Sequence, residues 1–325
     1  MPIDDRYRSD LQRVARAIDG GQRIGVVGHV GPDGDALGSA IALAQSARGV
    51  GKDAVASFGE PFVVPAEMSF LDLSTLVSPA DFPGDLEVVV ACDTAARDRL
   101  GSLASAAESA GTLVVIDHHR SNDGFGDVVL IDPEAGATTQ LVFYLLEELG
   151  WPIEEPVATA LYTGLVTDTG RFQYSSTTPE VHRVAAQLLA AGVQPDAVGQ
   201  RLFEETPFGY YTVLARVMGR AVLEPDRGLV WSVLEKGDLE AAGIGYEATD
   251  GLIDSVRVAE EADVACLLKE KQPGTLKGSL RSRGAVDVAA IAAVLGGGGH
   301  HNAAGFTYKG TADAAMTQIR ELLGR

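Results

Sequence analysis

Cysteine is scarce in this 325-residue chain: there are two, Cys92 and Cys266, far apart and each inside an apolar run. That argues against a disulfide framework or a thiolate zinc site and points to a reducing, cytoplasmic setting. Lysine is also rare, six against twenty arginines, which with abundant Ala and Gly suggests a high-GC bacterial source. Positive charge as a whole runs short, since 26 Lys and Arg face 45 Asp and Glu for a formal net charge of −19. Long duplex nucleic acid, which is gripped by neutralising its phosphates, is therefore a poor partner. Short RNA or a small nucleotide needs only a local basic pocket. No run approaches the roughly 20 apolar residues that span a bilayer. The first 21 residues read as an amphipathic helix and lack the apolar core of a secretory signal. No internal repeat or low-complexity tract interrupts the chain.

What remains is ordinary globular material, 46% hydrophobic and 22% charged, long enough for two domains. Segments 23–29, 53–59, 86–93, 112–119 and 126–132 are short, rich in Val and Ile, and nearly continuous in hydrophobicity. Strands buried on both faces have this character. Helical patterns at 36–51, 99–111, 137–150 and 154–170 fall between or after them. The alternation predicts an α/β domain over 1–185, its mostly parallel sheet flanked by helices. From 178 to 224 the pattern is helical without a strand signal, so 186–225 reads as a helical connector. A smaller C-terminal α/β domain is expected over 226–325, with strands at 228–235, 262–271 and 274–284, a helix at 287–296, and then a glycine run.

Three of the early strands end in polar groups: His29, Asp33 and Asp35 in HVGPDGD, Asp93 in ACDT, and Asp117, His118 and His119 in DHH. Ionisable groups at the rim of a core are costly without a partner, and a metal ion is one such partner. In an open α/β sheet these strand ends converge at one place. Asp168, in TDTGRF, adds a further carboxylate. Taken singly, an Asp before Gly can merely make a turn and Asp93 can merely cap a helix. Taken together they are informative, because only His182 of the six histidines lies outside HxxxDxD, DHH and the terminal GGGGHH. Oxygen and imidazole donors without thiolates suit Mn²⁺ or Mg²⁺. A pair of such ions about 3.5–4 Å apart can activate water and brace a phosphoryl group.

The ordered set HVGPDGD, ACDT, DHH and TDTGRF resembles the DHH phosphoesterase superfamily, and GSLRSRG…VDVAAIAAVLGGGGHHNAAGF resembles its DHH-associated C-terminal domain. The resemblance implies that His29, Asp33 and Asp93 hold one Mn²⁺. It implies that Asp35, Asp93, His118 and Asp168 hold the second, with Asp93 shared and another divalent ion such as Mg²⁺ able to substitute. His119 would contact the scissile phosphate or serve as an acid. In the second domain Arg281, Ser282, Gly298, Gly299 and His300 would bind substrate, with glycine amides and Arg suited to an anion. Arg120, Asn122, Arg171, Arg283 and His301 are secondary candidates with no assigned role.

The length reads as too short for the exonucleases of the superfamily that add a nucleic-acid-binding barrel, and the sequence is not expected to carry the membrane and sensor segments of the large cyclic dinucleotide phosphodiesterases. What remains is similar to the stand-alone bacterial oligoribonuclease, pAp-phosphatase and cyclic di-AMP phosphodiesterase group. The resemblance implies a Mn²⁺-dependent hydrolase acting on RNA a few residues long, pApA, 3′-phosphoadenosine 5′-phosphate (pAp) or cyclic di-AMP, and a homodimer. A family II-type inorganic pyrophosphatase shares the metal motifs but not GGGGH. A nucleotide-binding regulator that has lost catalysis would need a broken ligand set, and none of the expected ligands is missing.

Overall fold

The computed structural model describes residues 5–324, which divide into two compact units, Met1–Glu205 and Thr206–Arg325. The N-terminal unit contains α1 (Asp5–Gly20), β1 (Arg23–Gly28), α2 (Gly34–Gly49), β2 (Asp53–Phe58), β3 (Val88–Cys92), α3 (Ala104–Glu108), β4 (Thr112–Asp117), β5 (Val128–Ile131), α4 (Thr138–Leu149), α5 (Glu155–Asp168), α6 (Pro179–Ala190) and α7 (Pro195–Phe203). Its five strands are all parallel, in the order β2-β1-β3-β4-β5. Alternate strand residues feed two cores, as a pleated sheet requires. Ile24, Val26, Val90, Val114 and Ile116 pack with α1, α2, α4 and α5. Val27, Val89, Ala91 and Val115 pack with Leu100, Leu103 and Ala107 on the other side. Both faces are covered, which explains the unbroken apolar runs in these strands.

The order reverses between β1 and β3, and the carboxyl ends flanking such a switch point form a crevice. The helix expected over 99–111 is broken: Gly101 has φ 56°, and a Cβ there would lie 2.4 Å from Val30 Cγ1. The loop after β1 therefore presses against the loop after β3, and the segment from Arg97 to Leu103 is 3₁₀ in character with a kink at Gly101.

The C-terminal unit contains α8 (Gly209–Gly219), β6 (Val222–Glu224), β7 (Leu229–Leu234), α9 (Lys236–Ala242), α10 (Leu252–Val256), β8 (Val264–Gln272), β9 (Thr275–Ser282), α11 (Val288–Val294), β10 (Gly298–His300), β11 (Ala303–Lys309) and α12 (Ala312–Leu323). Its mixed sheet has the order β10-β11-β9-β8-β7-β6. One face is covered by α11 and α12 through Cys266, Leu280, Phe306 and Met316. On the other face α8, α9 and α10 cover mainly β7 and β8, through Val217, Val230, Leu252 and Leu267.

The segment 186–225 is divided between the units. Val198 of α7 joins the N-terminal core, whereas Val213 and Val217 of α8 belong to the C-terminal one. β6 also lies within this helical-looking stretch. Its three residues are too few to show a period, and pairing with β7 makes them a strand. The glycine run likewise becomes an edge strand, β10, through pairing with β11. Acidic load is uneven: 30 Asp and Glu against 13 Lys and Arg in the N-terminal unit, but 15 against 13 in the C-terminal one.

Candidate metal centre

Side chains from the ends of β1, β3 and β4 meet the N-terminus of α2 and the C-terminus of α5. Asp33 caps α2, its Oδ1 accepting from the amides of Asp35 and Ala36 at 3.1 Å. That leaves Oδ2 3.6 Å from His29 Nε2, which lies 3.6 Å from Asp93 Oδ2 as well. Asp93 Oδ1 faces the other way, 3.6 Å from His118 Nε2. His118 Nε2 is in turn 3.8 Å from Asp35 Oδ2 and 3.3 Å from Asp168 Oδ2. The seven expected residues of this unit, His29, Asp33, Asp35, Asp93, His118, His119 and Asp168, thus come together around two adjoining groups: His29 with Asp33 and Asp93, and Asp35 with His118 and Asp168.

The donor set fits a pair of cations. Ligand atoms about 2.1 Å from one ion stand roughly 3 to 3.5 Å apart, close to the separations seen here and longer than most direct hydrogen bonds. Asp35 and Asp93 are 1% and 2% exposed, beside Asp117 at 0%. Burial first, and then Asp35, Asp33 and their neighbours, push the Asp93 and Asp168 carboxyls well above the usual range. A buried concentration of negative charge with no Lys or Arg ion pair to its carboxylates among the described residues is what a divalent ion would offset.

Several polar contacts orient these donors. The amides of Thr138 and Thr139 at the start of α4 donate to the two Asp35 oxygens at 2.6 and 2.8 Å, and Thr138 Oγ1 donates to Asp93 Oδ1 at 3.1 Å. His118 Nδ1 lies 3.3 Å from Ala135 O. A ring that donates there keeps Nε2 for a metal. Val30 O lies 3.0 Å from His29 Nδ1, and donation to it has the same effect; Arg99 Nη2, also 3.0 Å from Nδ1, can only donate and so competes with that tautomer. Asp93 adopts φ 53°, a left-handed conformation that L-residues enter rarely and that marks functional sites.

Asp117 does different work from its neighbours. Its Oδ1 accepts from His119 Nδ1 at 2.7 Å and from the His118 amide at 2.8 Å, and its Oδ2 accepts from Asn122 Nδ2 at 2.6 Å. These donors hold its pKa low against the opposing effect of burial. Asp117 holds the His119 imidazole and the His118 backbone, and Asn122 ties it to Thr94 O. The motif DHH pointed to this loop, but no local pattern revealed Thr138, Thr139 or Arg99.

In the C-terminal unit, Arg281 lies on β9 opposite Ala303, and His300 at the end of β10 also pairs with Ala303. Ser282 points to the opposite face of the sheet, 4% exposed, its Oγ accepting from the Gly284 and Val286 amides. It anchors the turn that follows β9. The glycines differ too. Gly299 has φ 145°, and a Cβ there would lie 2.5 Å from Ala303 O, whereas a Cβ on Gly298 meets nothing within 4 Å.

The secondary candidates are occupied in the fold. Arg283 donates to the carbonyls of Val258, Ala259 and Glu260, Arg171 lies 4.0 Å over the Phe203 ring, and Arg120 pairs with Glu134 at the surface. His301 Nε2 is 3.1 Å from Gly284 O.

Comparison with known proteins adds a family to this geometry. Residues 23–165 match the DHH family, N-terminal domain, and residues 238–324 match the DHHA1 domain. The bifunctional oligoribonuclease and PAP phosphatase NrnA of Thermus thermophilus is 34% identical over 98% of this chain and 94% of its own length. The chain belongs to the DHH family. The cyclic-di-AMP phosphodiesterase GdpP of Geobacillus thermodenitrificans is 27% identical over 99% of this chain, which spans 51% of that relative. Both names describe hydrolases of phosphoester bonds. An exopolyphosphatase-related protein from Bacteroides fragilis shares the fold, with a TM-score of 0.90, 24% identity and coverage of 98% of this chain and 96% of that one. Among the described residues no helix is long and apolar enough to cross a membrane.

Proposed function

We propose that this DHH-family hydrolase is a Mn²⁺-dependent phosphoesterase of short nucleotides: RNA a few residues long, pApA, pAp and cyclic di-AMP. The observation that carries this reading is Asp93, whose two oxygens face two different ligand groups. His29, Asp33 and Asp93 would hold one ion, and Asp35, Asp93, His118 and Asp168 the other. Two such ions supply Lewis-acid stabilisation of phosphoryl charge and a lowered pKa for water.

The protein's own groups do the rest. The Thr138 and Thr139 amides hold Asp35 against rotation, so the carboxylate need not reorganise during reaction. Asp117 fixes the His119 ring through Nδ1, which assigns Nε2 to the phosphate oxygens, as a donor to a non-bridging oxygen or to the leaving group. Arg281, with His300, Gly298 and Gly299, binds the remainder of the substrate, and Ser282 steadies the turn behind Arg281. The names of the two relatives support the substrate class.

The test is a Mn²⁺ assay of pApA, a tetraribonucleotide, pAp, cyclic di-AMP and pyrophosphate, compared as kcat/KM. Turnover of nucleotides without pyrophosphate hydrolysis is expected; rapid hydrolysis of pyrophosphate alone would overturn the substrate class.

A further inference from the structure

The sheet face that carries Arg281 continues well beyond it. Odd-numbered residues of β9 and β11 share that face: Arg281, Ser279 and Lys277 lie opposite Ala303, Gly305 and Thr307, and Lys309 lies opposite Thr275. Gly298 and His300 of β10 extend the same rows. The even-numbered side chains Leu276, Leu280, Ala304 and Phe306 are buried under α11 and α12. On the odd face the covering helices lie mainly over β7 and β8, with α10 reaching β9 beside Arg281, and Lys277, Thr307, Lys309, Gly298 and His300 are exposed.

Charge on this face is one-sided. In a chain of 45 acids and 26 bases, strands β9, β10 and β11 place Lys277, Arg281, Lys309 and His300 there and no carboxylate. Three of the six lysines are on this face of the sheet, the third being Lys269 of β8, opposite Lys277. Acids approach only from the side of α10: Asp254 lies 4.0 Å from Arg281 Nε, and Asp250 is 2.6 Å from Lys269 Nζ. Lys277 and Lys309 make no ion pair among the described residues. A polyanion would supply the partner.

The spacing suits a nucleotide chain. Arg281 and Lys277 are four residues apart on one strand, about 13 Å at a rise of roughly 3.3 Å per residue. A stacked nucleic-acid strand advances about 3.4 Å per nucleotide, and an extended one about twice that, so the two cations are some two extended nucleotides apart. Between them the surface is low. Gly305 pairs with both Ser279 and Gly298, and a Cβ on Gly298 would meet open space while one on Gly305 would meet only Gly278 O at 3.5 Å. Neither glycine is required by the packing around it.

Resting on the short-nucleotide reading above, we propose that Lys277, with Lys309 behind it, is a phosphate-binding station for oligoribonucleotides longer than two residues, one that mononucleotides do not reach. Arg281 takes one phosphate and Lys277 another about two extended nucleotides along the strand, so that Lys277 sets the preference for substrate length.

The test uses the full chain with Lys277→Ala, Lys277→Arg and the double variant Lys277→Ala/Lys309→Ala, all at exposed positions. Binding of an end-labelled tetra-adenylate is measured in EDTA across a salt series, and kcat/KM for the tetramer and for pAp in Mn²⁺. Lys277→Ala should weaken tetramer binding and lower its kcat/KM about tenfold, leave pAp within about twofold, and reduce the salt slope by about 0.7 per lost contact. Lys277→Arg should restore both tetramer values. Unchanged tetramer binding, or an equal loss on pAp, would overturn the station. If the wild type binds the tetramer in a Lys277-dependent way but hydrolyses neither substrate, the station stands and the proposed activity fails.

Discussion

Gly164 of α5 lies against Asp35 of α2 with no room for a side chain between them: a Cβ on Gly164 would stand 2.8 Å from Asp35 Oδ1 and 2.4 Å from Thr139 Cγ2. Gly38, one turn along α2, is equally constrained by Ala160 O at 2.4 Å. Backbone-to-backbone packing of α2 on α5 is what sets Asp35 and Asp168, one near each helix end, beside the same imidazole.

Gly164→Ala should therefore act on chemistry more than on folding. Overpacking costs about 1–3 kcal/mol, whereas a displacement of Asp35 by about 1 Å is enough for roughly a 100-fold loss in kcat. The check is kcat alongside a melting curve. A variant that keeps full activity would show that Asp35 does not need this seat.

Asp93→Asn keeps a residue type that tolerates left-handed backbone while removing one negative charge from the cluster. Without metal it should be more stable than the parent, raising Tm by about 2–4 °C for each kcal/mol of repulsion relieved. Added Mn²⁺ should raise the parent's Tm through binding to the native state and leave the variant's nearly unchanged, with turnover at background. Calorimetry with EDTA and with Mn²⁺ reads all three. A variant that still responds to Mn²⁺ as the parent does would remove Asp93 from the shared position.

A pH effect is expected within the C-terminal unit. Glu224 accepts from Arg320 Nη2 at 2.7 Å and from Trp231 Nε1 at 2.9 Å, and the Arg320 contact holds its carboxyl below the ordinary value of 4.5. A carboxylate depressed in the folded state contributes stability that is fully present above its unfolded value and disappears as pH falls through the folded one. The Tm difference between the parent and Glu224→Gln should be constant from about pH 7 to 5 and shrink below about 4.5. A difference that stays flat down to pH 3 would rule out the linkage.

The strand ends were legible in the sequence because His29, Asp93 and Asp117–His119 each interrupt an apolar run, and a doubly covered sheet makes those runs conspicuous. What holds them was not legible. Asp35 is fixed by amides 103 and 104 positions away, and a backbone amide carries no side-chain signature. Ser282 was paired with Arg281 through the family resemblance alone, and the sequence did not show that its hydroxyl accepts from the turn amides on the opposite face of the sheet. The segment 186–225 looked uniform because helical periodicity does not say which core an apolar face joins. β6 and β10, three residues each, exist through pairing alone.

If the proposed function holds, the uneven distribution of acids would give this molecule a means of size exclusion without a wall. The N-terminal unit holds 17 more acids than bases, and cations bound at Asp93 would cancel that field only locally. Each added phosphate of a long RNA would meet repulsion within a Debye length of about 8 Å, while a two- or three-residue fragment would expose almost nothing to it. Rejection of polymers would then be graded, relaxing as ionic strength rises, where a steric barrier would be indifferent to salt.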